Sequence, residues 1–266
     1  MKRRQFLASA AAASAAAAVG ASRADLVAAP DATAREFYQL RQYTLARGPQ
    51  ATRADNYFRT ALVPALNRLG IARVGVFNVA IGPDMPTVYV LIPSGSADLL
   101  ASIDSRLWQD AAYVKAGGDF LKAPAAEPPF VGLDVWLMQA FDRMPTLRVP
   151  ARTADHPARV YELRTYKSPT EEFHRRKVEM FNSAEMALQA NLNMGAVFDG
   201  DMVAGPHMPS LTYMLAFDSL ADREKKFQVF QDSMEWQALS NDPKYPSEIV
   251  ATVTAAVMSP ATYSQI

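Results

Sequence analysis

The sequence contains the same pattern twice, 123 residues apart. The segment Tyr38–Tyr43 recurs as Tyr161–Tyr166, and the segment Gly82–Thr87 recurs as Gly205–Ser210. Two separate matches at one spacing indicate an internal duplication, and the repeat, about 110 residues long, has a normal domain size. The chain is therefore expected to fold as two copies of one domain.

The first 24 residues are expected to be a signal peptide that takes no part in the fold. Arg3 and Arg4 form a twin-arginine pair, Phe6–Ala21 is a run rich in alanine, and Ser22–Ala24 is a plausible cleavage site. A membrane anchor is the alternative, but the run is shorter than the ~20 apolar residues that span a bilayer. Twin-arginine signals direct bacterial export. The sequence thus predicts an exported or periplasmic protein with no membrane span after cleavage.

Charge and composition exclude several classes of function. Without the four basic residues of the signal, 23 Lys and Arg face 27 Asp and Glu, a net charge of −4. Such a chain is not expected to bind nucleic acid, which requires a basic surface. The absence of cysteine rules out disulfides, thiolate nucleophiles and iron–sulfur clusters. The three histidines lack metal-ligand spacing, so no metal site is predicted.

Hydrophobic periodicity predicts the order β-α-β-β-α-β in each copy, the ferredoxin-like unit. The expected domains are residues 35–142 and 158–266, joined by a proline-rich linker over residues 143–157. Helices cover only one face of such a sheet, so the other face needs a partner. The predicted fold is α+β, with two tandem ferredoxin-like domains packed sheet to sheet as an intramolecular α/β barrel.

Three local predictions concern helices and a loop. Pro64 is expected to kink a helix over Thr52–Leu69, and Ser168 is expected to cap a helix that starts at Pro169. Matching the Trp-Gln pair at Trp108 to the pair at Trp236 gives the first half an extra loop over residues 117–129. This loop is interpreted either as a surface detour or as a lid over a cavity of the other half.

The repeated motifs resemble those of the NIPSNAP family. The resemblance rests on the segments Tyr161–Tyr166, Gly205–Pro209 and Leu211–Leu215. The last four residues, Tyr263–Ile266, are similar to the ending of the exported bacterial members that have two repeats. The resemblance implies a dimeric α/β barrel fold. It supplies no catalytic residue and no activity. Relatives by fold include cofactor-free oxygenases, isomerases and haem proteins, so the cofactor stays unknown and none is required.

One face of the first strand of the second copy is polar. Glu162, Arg164 and Tyr166 share that face by the period of two, while Tyr161 and Leu163 share the other. The polar face is expected to line the barrel. It forms either a mutually satisfied network that docks the two halves or a pocket that orients a small ligand.

The following helix adds further candidate ligand-binding residues. Lys177 falls within an apolar stripe, with His174 and Glu185 at its edge, and a lysine on an inner face needs a partner such as Glu162 or Glu185. A lysine that reaches solvent is the alternative. The first copy has Ala51, Ala54 and Leu62 at the three positions, so this polar set is specific to the second copy. His207, in the second hairpin loop, completes the candidates.

Two functions compete at this stage. The first is a protein that binds a small molecule in the barrel cavity, with oxygenase-like or isomerase-like chemistry. The second is a non-catalytic module that acts through surface contact with other proteins. Neither requires a metal or a nucleic acid, and both are compatible with a homo-oligomer.

Overall fold

The computed structural model describes residues 34–150 and 159–266. The predicted signal peptide and part of the predicted linker lie outside these residues. The first half contains β1 (Phe37–Thr44), α1 (Pro49–Tyr57), a π-helical turn (Phe58–Leu62), α2 (Val63–Arg68), β2 (Gly75–Ile81), β3 (Thr87–Ser94), α3 (Ala97–Gln109), α4 (Ala111–Ala116), α5 (Gly118–Leu121) and β4 (Gly132–Ala140).

The second half repeats this order along the chain. It contains β5 (Val160–Lys167), α6 (Glu171–Met180), a π-helical turn (Phe181–Glu185), α7 (Met186–Asn191), β6 (Ala196–Ala204), β7 (Ser210–Phe217), α8 (Leu220–Asp232), α9 (Met234–Ser240), a 3₁₀ turn (Ser247–Ile249) and β8 (Thr252–Pro260).

All eight strands form one closed antiparallel barrel in the order β1-β3-β2-β8-β5-β7-β6-β4. Each half supplies four adjacent strands, and the halves join edge to edge through β2 with β8 and β4 with β6. Strands β3 and β7 therefore lie on opposite sides of the ring. The predicted α/β barrel built from two tandem repeats is confirmed, and closure leaves neither sheet with a long open edge.

The barrel interior is a packed apolar core. One cluster of buried side chains draws members from every strand, among them Tyr38, Phe77, Tyr89, Met138, Tyr161, Phe198, Met214 and Met258. The prediction that the polar face of β5 lines the barrel is wrong, because Tyr161 and Leu163 point inward while Glu162 bonds to Arg223 of α8. The faces of β5 alternate as expected, but the apolar face fills the lumen and the polar face meets the helices.

The π-helical turn occurs in both halves at the same repeat position, 123 residues apart. Pro64 lies in the first turn of α2, directly after the π-helical turn, and Ala187 stands at the matching position of the second half, so the turn itself does not depend on the proline. The kink at Pro64 stays a prediction. Such π-helical turns insert one extra residue and are frequent at functional sites. In the second half the turn ends on Glu185.

Helix α6 starts two residues later than predicted. Thr170 is the N-cap and its hydroxyl accepts a hydrogen bond from the Phe173 amide at 3.2 Å. The Ser168 hydroxyl donates instead to the Ile249 carbonyl at 2.7 Å and is buried. A tertiary contact has therefore taken Ser168 away from the capping role that its sequence position favours.

The predicted extra loop of the first half is wrong in size. Met138 pairs with Tyr38 and Met258 pairs with Tyr161, so the fourth strands are offset by 120 residues and the first strands by 123. The difference is three residues. Trp108 lies in α3 and Trp236 in α9, so the two Trp-Gln pairs are not equivalent. The segment holds α5, whose Phe120 packs against Tyr43, Tyr57 and Phe58 of the first half.

Candidate functional site

A pocket of ≈ 290 Å³ lies in the second half, between the outer face of β5 and β7 and the helices that cover it. Arg164, Tyr166 and Tyr213 line it from the sheet, and Glu185 and Gln189 line it from the first helical layer. Helices α8 and α9 close it with Arg223, Glu224, Phe227, Gln228, Phe230, Gln231 and Trp236. Three of the predicted site residues, Arg164, Tyr166 and Glu185, thus line a cavity outside the barrel, which corrects the predicted position inside it.

Glu162 lies beneath this pocket and binds two guanidinium groups. Its side chain is 0 % exposed, and Oε1 accepts hydrogen bonds from Arg164 Nη1 and Arg223 Nη2, each at 2.8 Å. Its Oε2 accepts a third from Arg223 Nε at 2.8 Å. Phe227 lies against both guanidiniums, 5.2 Å and 4.6 Å from its ring centre. Arg223 Nη1 also donates to the carboxylate of Glu224 on α8, so the two guanidiniums are matched by two carboxylates.

Lys177 and Glu185 form a buried ion pair, as the sequence predicts. Lys177 Nζ donates to Glu185 Oε2 at 2.8 Å, and the two residues are 3 % and 2 % exposed. The ammonium also faces the rings of Phe181 and Tyr166 at 4.8 Å and 5.3 Å. Glu162, the other candidate partner, is engaged by arginines instead. Neither charge could be buried here alone, since an unpaired ion costs several kcal/mol.

Two tyrosines continue the polar network into the pocket. Arg164 Nε donates to the Tyr166 hydroxyl at 3.2 Å, and the hydroxyls of Tyr166 and Tyr213 are 2.9 Å apart. Burial, and to a smaller extent the neighbouring Tyr166, raises the pKa of Tyr213 well above its ordinary value. Tyr213 is therefore a neutral hydroxyl at any physiological pH.

Two buried polar groups near the pocket lack partners among the described residues. Both carboxylate oxygens of Asp199, which is 1 % exposed, and Oε1 of Gln189 accept no hydrogen bond there. Burial, followed by the charge of Glu185, raises the pKa of Asp199 to about 7, and Arg148 opposes the shift. Unsatisfied buried groups are rare and often mark a functional site.

The two histidine candidates lie apart from this cluster. His174 is buried on α6 and its Nε2 is 2.7 Å from Asp201 Oδ1, while Nδ1 has no partner among the described residues. His207 is exposed in the second hairpin with φ 68, and Asp84 has φ 54 at the matching place in the first hairpin. Neither histidine lines the pocket.

The repeat offset shows how specific this site is to one half. Six core positions of the first half are occupied by apolar residues, all in one buried cluster: Ala54, Leu62, Leu66, Val76, Val90 and Leu100. Their counterparts in the second half are polar: Lys177, Glu185, Gln189, Asp199, Tyr213 and Arg223. The sequence analysis missed the last four. Applying the offset along every strand and helix would have found them.

A larger groove of ≈ 860 Å³ runs over the surface of the first half, beside α1 and α5. Tyr57 and Phe120 stack beneath it, with ring centres 4.0 Å apart. Its polar side chains, such as Asp119 and Lys122, are exposed. Size alone does not make it a site, because its one buried polar group, the Tyr57 hydroxyl, is already paired with Tyr113.

Two kinds of feature are absent from residues 34–150 and 159–266. Within these ranges, no helix is both long enough and apolar enough to pass through a membrane. No group of three or more metal-ligating side chains converges there either.

Comparison with known proteins supports the resemblance seen in the motifs. The family model described as NIPSNAP matches residues 38–120 and 161–265, more than half of the chain. No curated protein matches this chain.

Solved structures match the whole barrel or one repeat. A candidate monooxygenase from Lactobacillus acidophilus NCFM has a TM-score of 0.53 and 7% identity, with 85% of this chain and 94% of that chain covered. A second, from Fusobacterium nucleatum, has a TM-score of 0.54 and 9% identity, with 86% and 93% covered. A NIPSNAP family protein of unknown function from Agrobacterium tumefaciens is 20% identical over 42% of this chain and 96% of that one, with a TM-score of 0.37. At these identities the likeness shows the fold alone.

Proposed function

We propose the following function for this chain, which belongs to the NIPSNAP family: an exported protein that binds a small anionic molecule with a planar apolar part. The binding site is the pocket between the sheet and the helices of the second half. The observation that carries the proposal is the replacement of six apolar core positions by polar residues in that half alone.

A stable core does not need this replacement, because the first half folds with apolar residues at the same places. Burying polar groups costs free energy unless they are paired, and Asp199 and Gln189 are not paired among the described residues. Polar groups that weaken a core without serving the fold are typical of binding and catalytic sites. This supports a ligand-related role for the second half.

The lining of the pocket supports the chemical class of the ligand. Arg164 uses Nε for Tyr166 and Nη1 for Glu162, which leaves Nη2 to donate to the carboxylate of a ligand. Phe227 and Trp236 offer aromatic faces beside the cations. The volume of ≈ 290 Å³ lies at the lower end of the roughly 300–1,000 Å³ typical of ligand pockets, which favours a small molecule.

Calorimetric titration with benzoate and phenylpyruvate tests the proposal. The mature protein is expected to bind at least one of them, and Arg164→Met is expected to weaken binding at least tenfold. Arg41→Met is the matched control, because Arg41 is the buried arginine at the equivalent position and pairs with Asp104 at 2.8 Å. Binding that is absent, or equally weakened by both variants, would contradict the proposal. The absorption spectrum of the same protein tests for haem or flavin, neither of which the proposal requires.

Export is tested separately. Replacing Arg3 and Arg4 by lysine should leave the precursor in the cytoplasm, because the twin-arginine pathway recognises the arginine pair. Fractionation of cells that express the full chain measures this. Continued export of the double variant would refute the twin-arginine assignment.

The second candidate function, a non-catalytic module, has its own supporting observation. Both hairpins lie at the same end of the barrel, since Gly82 approaches Ala256 of β8 and Gly205 approaches Trp136 of β4. Eight of the exposed large apolar residues belong to this end: Ile81, Met85, Val131, Leu133, Val135, Val203, Met208 and Val253. Exposed apolar patches often mark contact surfaces. Light scattering of Met85→Glu/Met208→Glu against the native chain tests self-association through this end.

A further inference from the structure

Two tyrosine hydroxyls stand at the pocket wall. A guanidinium can only donate hydrogen bonds, so the Tyr166 oxygen accepts from Arg164 Nε at 3.2 Å. The hydroxyls of Tyr166 and Tyr213 are 2.9 Å apart, and either can be the donor between them. Two hydroxyls that share one hydrogen bond leave one proton for a bound ligand, and rotation of the hydroxyls can place that proton on Tyr213.

A base lies on the same pocket wall. Glu185 Oε2 is held by Lys177 Nζ at 2.8 Å, whereas Oε1 makes no hydrogen bond to any described residue. The first half has Leu62 at this position and Ala54 at that of Lys177. Lys177 fixes the orientation of this carboxylate, and Glu185 is 2 % exposed. A carboxylate held in one orientation with one oxygen left over can act as a general base on a bound substrate.

We infer that Glu185 and Tyr213 catalyse a cofactor-free proton transfer next to a carbonyl group, on a small 2-oxo acid held by Arg164 and Arg223. The inference rests on the ligand pocket proposed above and names its reaction. It requires three groups around one substrate, and the pocket lining contains all three: arginine donors for the carboxylate, a tyrosine hydroxyl for the carbonyl oxygen and a carboxylate base for the adjacent carbon.

The step balances without a further reactant. Glu185 takes a proton from the carbon beside the carbonyl as the C–H bond breaks, and its electron pair forms the C=C bond. The carbonyl π pair moves to oxygen, where the Tyr213 hydroxyl donates a hydrogen bond to the developing negative charge. Glu185 then returns the proton to oxygen or to carbon. The result is keto–enol isomerisation, in which nothing is oxidised or reduced.

Deuterium exchange at C3 of phenylpyruvate measures this step directly. The mature protein in D₂O is expected to accelerate the exchange, seen by proton NMR, above the buffer rate. Glu185→Gln is expected to lose roughly 100-fold or more of that acceleration, since a positioned base contributes about 10²–10⁴-fold. Tyr213→Phe is expected to lose at least tenfold. Both variants should still bind phenylpyruvate, because the arginines remain.

Tyr113→Phe is the matched control. The Tyr113 hydroxyl pairs with that of Tyr57 at 2.8 Å in the core of the first half, so the variant loses a buried tyrosine pair far from the pocket. Its exchange rate is expected to equal that of the native chain. Circular dichroism shows which variants fold, and the conservative Glu185→Asp, which keeps a carboxylate, should retain part of the activity if Glu185→Gln unfolds.

The outcomes separate the inference from the function on which it rests. Binding of phenylpyruvate without accelerated exchange would overturn the inference and leave the ligand site in place. Unchanged exchange in Glu185→Gln would also overturn it. Binding of benzoate but not of phenylpyruvate would overturn the 2-oxo acid class and the inference, whereas binding of neither would overturn the ligand site as well.

Discussion

The two halves of this barrel have the same backbone design and different cores. Strands β1 and β5 and helices α3 and α8 recur at the same spacing of 123 residues, and so do the two π-helical turns. The helix-side core of the first half is apolar, whereas that of the second half holds the pairs Lys177–Glu185 and Arg223–Glu162. The comparison teaches that periodicity and turns specify the fold, and that six side chains can change one core into a pocket.

The first half shows what the polar residues replaced. It retains one arginine at this layer, Arg41, which bonds to Gln39 Oε1 at 2.7 Å and to Asp104 on α3 at 2.8 Å. Gln39 in turn donates to the Leu100 carbonyl at 3.1 Å, where the second half has Arg223. A neutral amide with one surface carboxylate is enough to satisfy this arginine. The extra charges of the second half are therefore not needed to close the barrel.

The largest expected effect comes from breaking the buried pair of the second half. Lys177→Met should lower the free energy of unfolding by about 3–5 kcal/mol, because Glu185 would keep a buried charge without a partner. Urea denaturation measures it. Adding Glu185→Leu, the first-half residue, should recover most of the loss. A single variant as stable as the native chain would show that the pair is not buried in solution.

The next largest effect is a pH dependence that only the second half can have. The pKa of Asp199 is raised from 3.8 to about 7, so the folded state binds its proton more tightly than the unfolded state does. The free energy of unfolding should therefore fall as pH rises from about 4 to about 7, by roughly 4 kcal/mol from this group. Asp199→Asn should lack that contribution. Parallel pH profiles for the native chain and the variant would contradict the assignment.

The smallest expected effect concerns the N-caps, which differ between α6 of the second half and α1 of the first half. Thr170→Ala should destabilise the protein by about 1 kcal/mol, because its hydroxyl accepts the Phe173 amide hydrogen bond. The first half has Gly48 at the N-cap, with φ 90 and no side-chain hydrogen bond. Thr170→Gly, which imitates it, should cost less than Thr170→Ala. No loss in Thr170→Ala would mean that the cap hydroxyl adds little.

The errors made from sequence have identifiable physical causes. The period of two showed that Glu162 and Leu163 occupy opposite faces of one strand, but both faces of a helix-covered barrel are buried, so periodicity could not say which face points inward. The length of the loop was overestimated because Trp108 and Trp236 are both followed by glutamine but lie in helices that are not equivalent, α3 and α9. The pairing of the fourth strands with the first strands shows that the two halves differ by only three residues in this region.

The sequence by itself determined the duplication, the order of elements and the barrel, and it placed Lys177 on an inner face with Glu162 or Glu185 as candidate partners. The tertiary structure alone decided how those charges meet. On an ideal helix, residues eight apart differ by about 80°, and the π-helical turn between Lys177 and Glu185 reduces that angle and allows the 2.8 Å contact. It also decided that Glu162 bonds Arg223, 61 residues away, because closure of the barrel and packing of α8 bring them together. Local patterns record periodicity, whereas contacts between distant segments depend on how the whole chain closes.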